Sequence, residues 1–211
     1  IEHSLIEHIP EEWPCFREAL LRLVTSGACD VRQAAAYGIG VLAQTNSSLL
    51  KPDAEIFSQK LQQAIKIPAK GENAKTYGLS RDNAIGALGK IIRYAEESID
   101  QKKLIPVWVN NLPLNHDKPE SRRQNELLTE MILKNVGGFC TQYKDLLPKV
   151  LTIFASITNT KFSNSTIEQN MKDILKALSN SNDTKNLAEQ AAAGLSQLHQ
   201  QKIQGLMNSR Q

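Results

Sequence analysis

Residues 30–43 read DVRQAAAYGIGVLA, and this stretch decides how the rest of the chain is interpreted. Its apolar and small residues recur at steps of three and four, so they share one side of an α-helix. Two glycines inside a helix cost about 1 kcal/mol each relative to alanine. A neighbouring helix that crosses close to the bare backbone would offset this cost. We therefore predict a buried, closely packed helix whose inner side carries Val31, Ala34, Ala35, Gly38, Ile39 and Leu42.

The same pattern returns in residues 80–92, which read SRDNAIGALGKII. When Arg81 is placed under Arg32, Gly89 falls under Gly40 and the apolar positions also coincide. The offset of about 50 residues is typical of HEAT-type repeats, in which each repeat is a pair of helices. Such pairs bury their apolar sides against neighbouring pairs. The predicted fold is all-α, an α-solenoid of about four to five helical hairpins in a right-handed superhelical stack.

Prolines, capping residues and polar turns divide the chain into helical pairs. Residues 68–77 read PAKGENAKTY and lack helical periodicity, so we predict a surface loop there and a cap at Ser80 for the following helix. Residues 150–158 are rich in β-branched side chains but keep the three-four spacing, which favours a helix. The predicted units are the end of a truncated repeat at 1–9, repeats at 11–48, 49–99, 100–137 and 140–180, and capping helices at 183–211.

Composition argues against several classes of function. The net charge is +3, and the 25 basic and 22 acidic residues are interspersed, which does not indicate nucleic-acid binding. No apolar run reaches the roughly 18 residues of a membrane-spanning helix. The cysteines are three and lack CxxC spacing, so we expect neither a zinc site nor a complete disulfide framework.

No set of residues predicts catalysis. The sequence GALGK at 86–90 resembles a phosphate-binding loop but lacks its spacing and lies inside a predicted helix. Cys29 lies at the start of a helix, where thiols can be reactive, but no histidine is positioned to activate it. We therefore expect no enzyme, no cofactor and no metal site.

Repetition at equivalent helix positions indicates a structural role. Arg32 and Arg81 recur together with the glycines, and two tryptophans fall on apolar stripes of first helices. The predicted structural residues are Arg32, Arg81, Gly38, Gly40, Gly86, Gly89, Trp13 and Trp108.

Three segments resemble one known family. They read VRQAAAYGIGVLAQ at 31–44, SRDNAIGALGKI at 80–91 and LIPVWVNNLPLNHDKPES at 104–121. They are similar to the C-terminal HEAT-repeat region of importin-β-family nuclear transport receptors (karyopherin-β), and most of all to the importin-five (importin β-3) class. The resemblance extends from about Trp13 to Asn135. Beyond Gly137 only the helical spacing supports it.

The resemblance implies a protein-binding scaffold that shuttles between cytoplasm and nucleus. Its expected partners are cargo proteins, Ran-GTP and nucleoporins with phenylalanine-glycine repeats, with no membrane and no direct nucleic acid. Second helices would line the inner surface of the stack, so polar residues on them are candidate partner contacts. These residues are Gln33, Asp82, Asn83 and Glu126.

The chain departs from the HEAT pattern at Ser26. HEAT repeats often carry an aspartate there, which binds the arginine of a neighbouring repeat. Without it, we expect Arg32 to bind carbonyl groups or Asp30. The alternative interpretation is another HEAT scaffold, such as a phosphatase regulatory subunit or a cytosolic assembly platform.

Overall fold

The computed structural model describes residues 2–69, 71, 73–180 and 182–208. Within these residues every regular element is helical, which confirms the predicted all-α class. Short 3₁₀-helices cover Lys51–Asp53, Glu96–Ser98 and Lys144–Leu146. The α-helices are α1 Glu2–Leu23, α2 Cys29–Thr45, α3 Ser47–Leu50, α4 Ala54–Lys66, α5 Ala74–Tyr94, α6 Gln101–Asn110, α7 Lys118–Lys134, α8 Val136–Gln142, α9 Leu147–Ile157, α10 Ser165–Asn180, α11 Asn182–Ala193 and α12 Gln197–Asn208.

The chain forms two compact units. The first contains the chain up to Trp108 together with Asn115–Glu120. The second contains Val109–Leu114 and the chain from Ser121 onward. The repeat boundaries given above remain predictions.

In the first unit, helices pack against neighbours along the chain, as helical hairpins of an α-solenoid do. The helix α1 packs on α2, α4 packs on α5, and the most extensive contact joins α2 to α5. Those two helices carry the two copies of the repeated motif. Their shared core is aliphatic and includes Ile39, Ala43, Ala84, Leu88 and Ile91.

Two helix ends differ from the sequence prediction. Residues 9–11, which separate the first two predicted units, lie inside α1, which is one helix from Glu2 to Leu23. The helix α5 begins at Ala74 rather than at Ser80. Its cap is Asn73, whose side chain accepts a hydrogen bond from Lys75 N at 2.8 Å, and Ser80 is buried inside the helix.

The second unit is built on α9 and α10. Both α11 and α12 contact each of these two helices. The β-branched segment is helical, since α9 runs from Leu147 to Ile157, and its side chains form the centre of the core. The largest buried side chains of this unit include Leu127, Ile153, Phe154, Ile167, Met171 and Ile174.

Candidate functional site

The glycines of α2 face two different neighbours. A Cβ atom built on Gly40 would lie 3.4 Å from Ala87 Cα and 3.2 Å from Lys90 Cδ, both on α5. A Cβ atom on Gly38 would lie 3.3 Å from Leu20 Cδ2 on α1. All three distances are at or below ordinary van der Waals contact. The bare backbone of α2 therefore lets a helix approach closely on each side.

A buried ion pair lies beside this helix contact. Lys90 Nζ is 2.8 Å from Glu120 Oε2, and the two residues are 6% and 9% exposed. The Glu120 side chain lies on Gly86, where a Cβ atom would overlap its carboxyl group. Gly86 thus makes the space that the glutamate occupies, and Gly40 makes space for the lysine stem. Sequence reasoning predicted a structural role for both glycines but missed the ion pair.

Asp82 holds the loop that precedes α7. Its Oδ2 atom accepts hydrogen bonds from the backbone N–H groups of His116 at 2.7 Å and Asp117 at 2.9 Å. Asn83 Nδ2 donates to Leu79 O at 2.9 Å and to Asp117 Oδ2 at 3.0 Å. Asp82 and Asn83 are both buried. Their side chains bind this loop, so in this structure they present no surface to a partner, contrary to the expectation from sequence.

Burial also changes the acidity of Asp82. Removal from water disfavours the charged carboxylate and raises its pKa above the ordinary value. The N–H groups of Asp117 and His116 act in the opposite direction, because they stabilise the charge. The loop contact therefore holds a carboxyl group whose ionisation costs free energy in the folded state.

The other two candidate contacts lie nearer the surface. Gln33 on α2 and Glu126 on α7 are each partly exposed. Glu126 Oε2 lies 2.9 Å from Arg123 Nη1, one helical turn away. Each belongs to a different compact unit. They remain candidate partner contacts.

Arg32 binds carbonyl groups, one of the two outcomes expected from the serine at position 26. The side chain is 3% exposed, and its Nη1 atom donates to Ser26 O at 2.7 Å and Gly27 O at 2.9 Å. Its Nη2 atom contacts Cys29 Sγ at 2.8 Å. The arginine thus closes the turn between α1 and α2.

The remaining predicted structural residues lie in the first unit. Trp108 on α6 is buried, and Gly89 is buried within α5. Trp13 is partly exposed, and its ring centroid lies 6.2 Å from that of Phe57 on α4. Arg81 is partly buried on α5. The structural role of these residues remains a prediction.

The candidate reactive groups do not converge. Among the residues that the structure describes, no three histidine, cysteine, aspartate or glutamate side chains are grouped to hold a metal ion. Cys15 is exposed, while Cys29 and Cys140 are buried. Burial raises the pKa of the Cys140 thiol, which opposes formation of a nucleophilic thiolate. In addition, none of the described helices is both long and apolar enough to cross a lipid bilayer.

Sequence reasoning also missed a fork-shaped ion pair. Arg17 on α1 directs Nε and Nη2 at the two carboxylate oxygens of Asp53, each at 2.7 Å. The hydrogen bond to Asp53 raises the pKa of the arginine. The pair fixes α1 against the start of α4. The two residues are far apart in sequence, so no local pattern predicts their contact.

A cavity in the second unit was also not predicted. It has a volume of about 490 Å³ and lies between the C-terminal end of α9 and the helices α10 and α12. Its walls combine charged, polar and apolar side chains. The residues around it are Thr158, Asn159, Glu168, Lys172, Leu198, Gln201, Lys202, Gly205 and Leu206.

The helices, with the glycine-containing motif repeated in α2 and α5, form an all-α helical solenoid. No protein-family model matches the chain. Over 128 residues, or 61% of its length, the chain is 24% identical to the probable importin subunit beta-4 of Schizosaccharomyces pombe (strain 972 / ATCC 24843). The matched part is 11% of that protein. The chain is thus similar to a HEAT region of the importin-β kind and spans about a tenth of the relative's length.

Proposed function

We propose that this chain is the C-terminal HEAT region of a nuclear transport receptor and acts as a protein-binding scaffold without catalysis. The observation that carries the proposal is the similarity to an importin subunit over 61% of the chain. The side-by-side packing of α2 and α5 supports it, because paired helices of this kind build extended surfaces for macromolecules.

Close contacts between the helices of the first unit support the scaffold proposal. Helices α2 and α5 are in backbone-close contact at Gly40, and the buried Lys90–Glu120 pair and the Asp82 hydrogen bonds hold the start of α7 to α5. A surface built on such fixed helices loses little conformational entropy when a partner binds. Gln33, partly exposed on α2, is the candidate contact in this unit.

The proposed partners follow from the family resemblance. They are cargo proteins, Ran-GTP and nucleoporins with phenylalanine-glycine repeats, and the proposed location is cytoplasm and nucleus. The importin-five class is the proposed subgroup.

The test uses the full-length protein that contains this chain, immobilised on a surface. Ran loaded with GDP or with a non-hydrolysable GTP analogue is then added. We expect saturable binding of Ran loaded with the GTP analogue. Ran loaded with GDP is expected to bind at least about tenfold more weakly, because the receptor recognises one nucleotide state of Ran. Absence of binding, or equal binding of both forms, would contradict the transport proposal. That result would favour a HEAT scaffold of another kind.

A further inference from the structure

A short segment, Asn115–Glu120, lies along one face of α5, and we call it the strap. The face that it covers consists of Gly78, Asp82, Gly86 and Lys90. These residues recur every four positions, so they share one side of the helix. Glycine alternates with a charged residue, and the face therefore combines bare backbone with a carboxylate and an ammonium group.

The strap contacts each of these four positions. Near its start, the His116 ring lies on Gly78, where a Cβ atom would overlap it. At its end, the Glu120 carboxyl group lies on Gly86 and pairs with Lys90. Between them, the aspartate of α5 accepts two backbone N–H groups of the strap. The strap is thus held by polar and ionic contacts, and two glycines make room for it.

Burial of apolar side chains does not hold the strap in place. Of residues 115–120, only Glu120 is buried. Its ion pair with Lys90 has lost hydration on both sides, which offsets much of the attraction between the charges. Burial also raises the pKa of Asp82, so the charged acceptor costs free energy while the strap covers it. Segments with few buried apolar contacts are those that open most easily in native proteins.

Both ends of the strap are anchored without the help of α5. Leu114 precedes the strap and Ser121 follows it, and they are 1% and 0% exposed. Ser121 Oγ donates a hydrogen bond to Leu114 O at 2.9 Å. This bond closes the base of the strap, so the strap can leave α5 while the residues on either side keep their places.

We propose that the strap is a latch that opens locally and as a unit, while the helices of the first unit stay folded. In the open state its contacts with α5 are lost together, and Asp82 and Lys90 become accessible from solution. The first turn of α7 frays as well, because in the closed state Asp117 Oδ1 accepts a hydrogen bond from Glu120 N at 3.0 Å. The latch does not depend on the proposed transport function.

The test is hydrogen exchange of the backbone amides in the whole chain, followed residue by residue by NMR. The strap amides are those of His116 and Asp117, and the reference is the amide of Leu88 in the buried part of α5. We expect the strap amides to be protected relative to an unstructured peptide, but to exchange at least about a hundredfold faster than Leu88. Low concentrations of urea are expected to accelerate the exchange of Leu88 but not that of the strap, because local opening exposes little surface.

The variant Gly78→Ala shifts the latch toward its open state. The added Cβ atom displaces the His116 ring, so exchange of the strap amides is expected to become about tenfold faster or more. Exchange of Leu88 is not expected to become faster, because alanine favours the helix. Adding His116→Ala removes the overlap and is expected to restore slower exchange of the Asp117 amide. The matched control is Gly205→Ala on α12, where a Cβ atom meets no atom within 4 Å and the strap is expected to exchange as in the natural chain.

Several results would overturn the inference. If the strap amides exchanged at the rate of Leu88 and with the same urea dependence, the strap would open only when the whole unit unfolds. If they exchanged as in an unstructured peptide, the strap would not be docked at all. Equal effects of Gly78→Ala and Gly205→Ala on the strap, or a failure of His116→Ala to reverse the effect of Gly78→Ala, would also contradict it. The Ran binding assay bears on the proposed function alone, so each proposal can fail while the other stands.

Discussion

Lys90 Nζ lies 2.8 Å from Glu120 Oε2, and each of the two side chains is buried against a glycine of a neighbouring helix. The lysine stem lies against Gly40 of α2, and the glutamate lies on Gly86 of α5. One ion pair therefore depends on two glycines of the repeated motif. This relationship connects α2, α5 and the first turn of α7 within the first unit.

The buried ion pair predicts that removing one of its charges destabilises the protein more than removing both. Lys90→Met leaves the Glu120 carboxylate buried without its cation, which is expected to lower the free energy of unfolding by about 3–5 kcal/mol. The double variant Lys90→Met with Glu120→Leu removes both charges and is expected to lose less than the single variant does. Urea unfolding at neutral pH measures both values. A double variant less stable than the single one would show that the buried charges do not depend on each other.

Gly86 and Gly205 provide a matched pair of glycines inside helices. Gly86→Ala places a Cβ atom where the Glu120 carboxyl group lies and is expected to destabilise the protein by about 1–3 kcal/mol. Gly205→Ala meets no atom and is expected to stabilise α12 by up to about 1 kcal/mol. Thermal unfolding followed by circular dichroism compares the two. The same sign for both substitutions would contradict the packing described here.

The repeated motif predicted a buried, closely packed helix, because helix packing depends on periodic positions that a sequence displays directly, and α2 indeed packs closely on α5. Other features depend on residues brought together from distant segments. Asp82 and Asn83 appeared to be surface residues because they are polar, but their hydrogen-bonding partners lie in a loop more than 30 residues away. The cavity between α9, α10 and α12 depends on how three helices meet. No local pattern encodes either arrangement.

The raised pKa of Asp82 predicts that the free energy of unfolding depends on pH. Its pKa is raised in the folded protein, so the folded state binds its proton more tightly than the unfolded state does. The cost of ionising Asp82 is therefore absent at pH values below the ordinary aspartate pKa. It appears as the pH rises through the raised value. Asp82→Asn keeps an oxygen acceptor and avoids this cost, so its stability relative to the natural chain is expected to be most favourable near neutral pH and to decline as the pH falls. Urea titrations across this range measure the difference.

Asp82→Ala is the control for this prediction. It removes the acceptor of the His116 and Asp117 N–H groups and is expected to cost about 1–3 kcal/mol at every pH. If the alanine and asparagine variants were equally stable, the two hydrogen bonds would not hold the loop.

Arg32 tests whether the turn between α1 and α2 needs a planar donor. Its Nη1 atom donates to the carbonyl oxygens of Ser26 and Gly27, and its Nη2 atom contacts Cys29 Sγ. Lysine keeps the charge but lacks the fork of N–H groups, so it cannot reproduce this geometry. We expect Arg32→Lys to cost about 1–2 kcal/mol and Arg32→Ala to cost more, because the alanine variant leaves both carbonyl groups without this donor. Thermal unfolding ranks the variants, and Arg22→Lys, at an exposed arginine of α1, is the matched control that is expected to change little. Equal stability of Arg32→Lys and the natural chain would show that charge alone closes the turn.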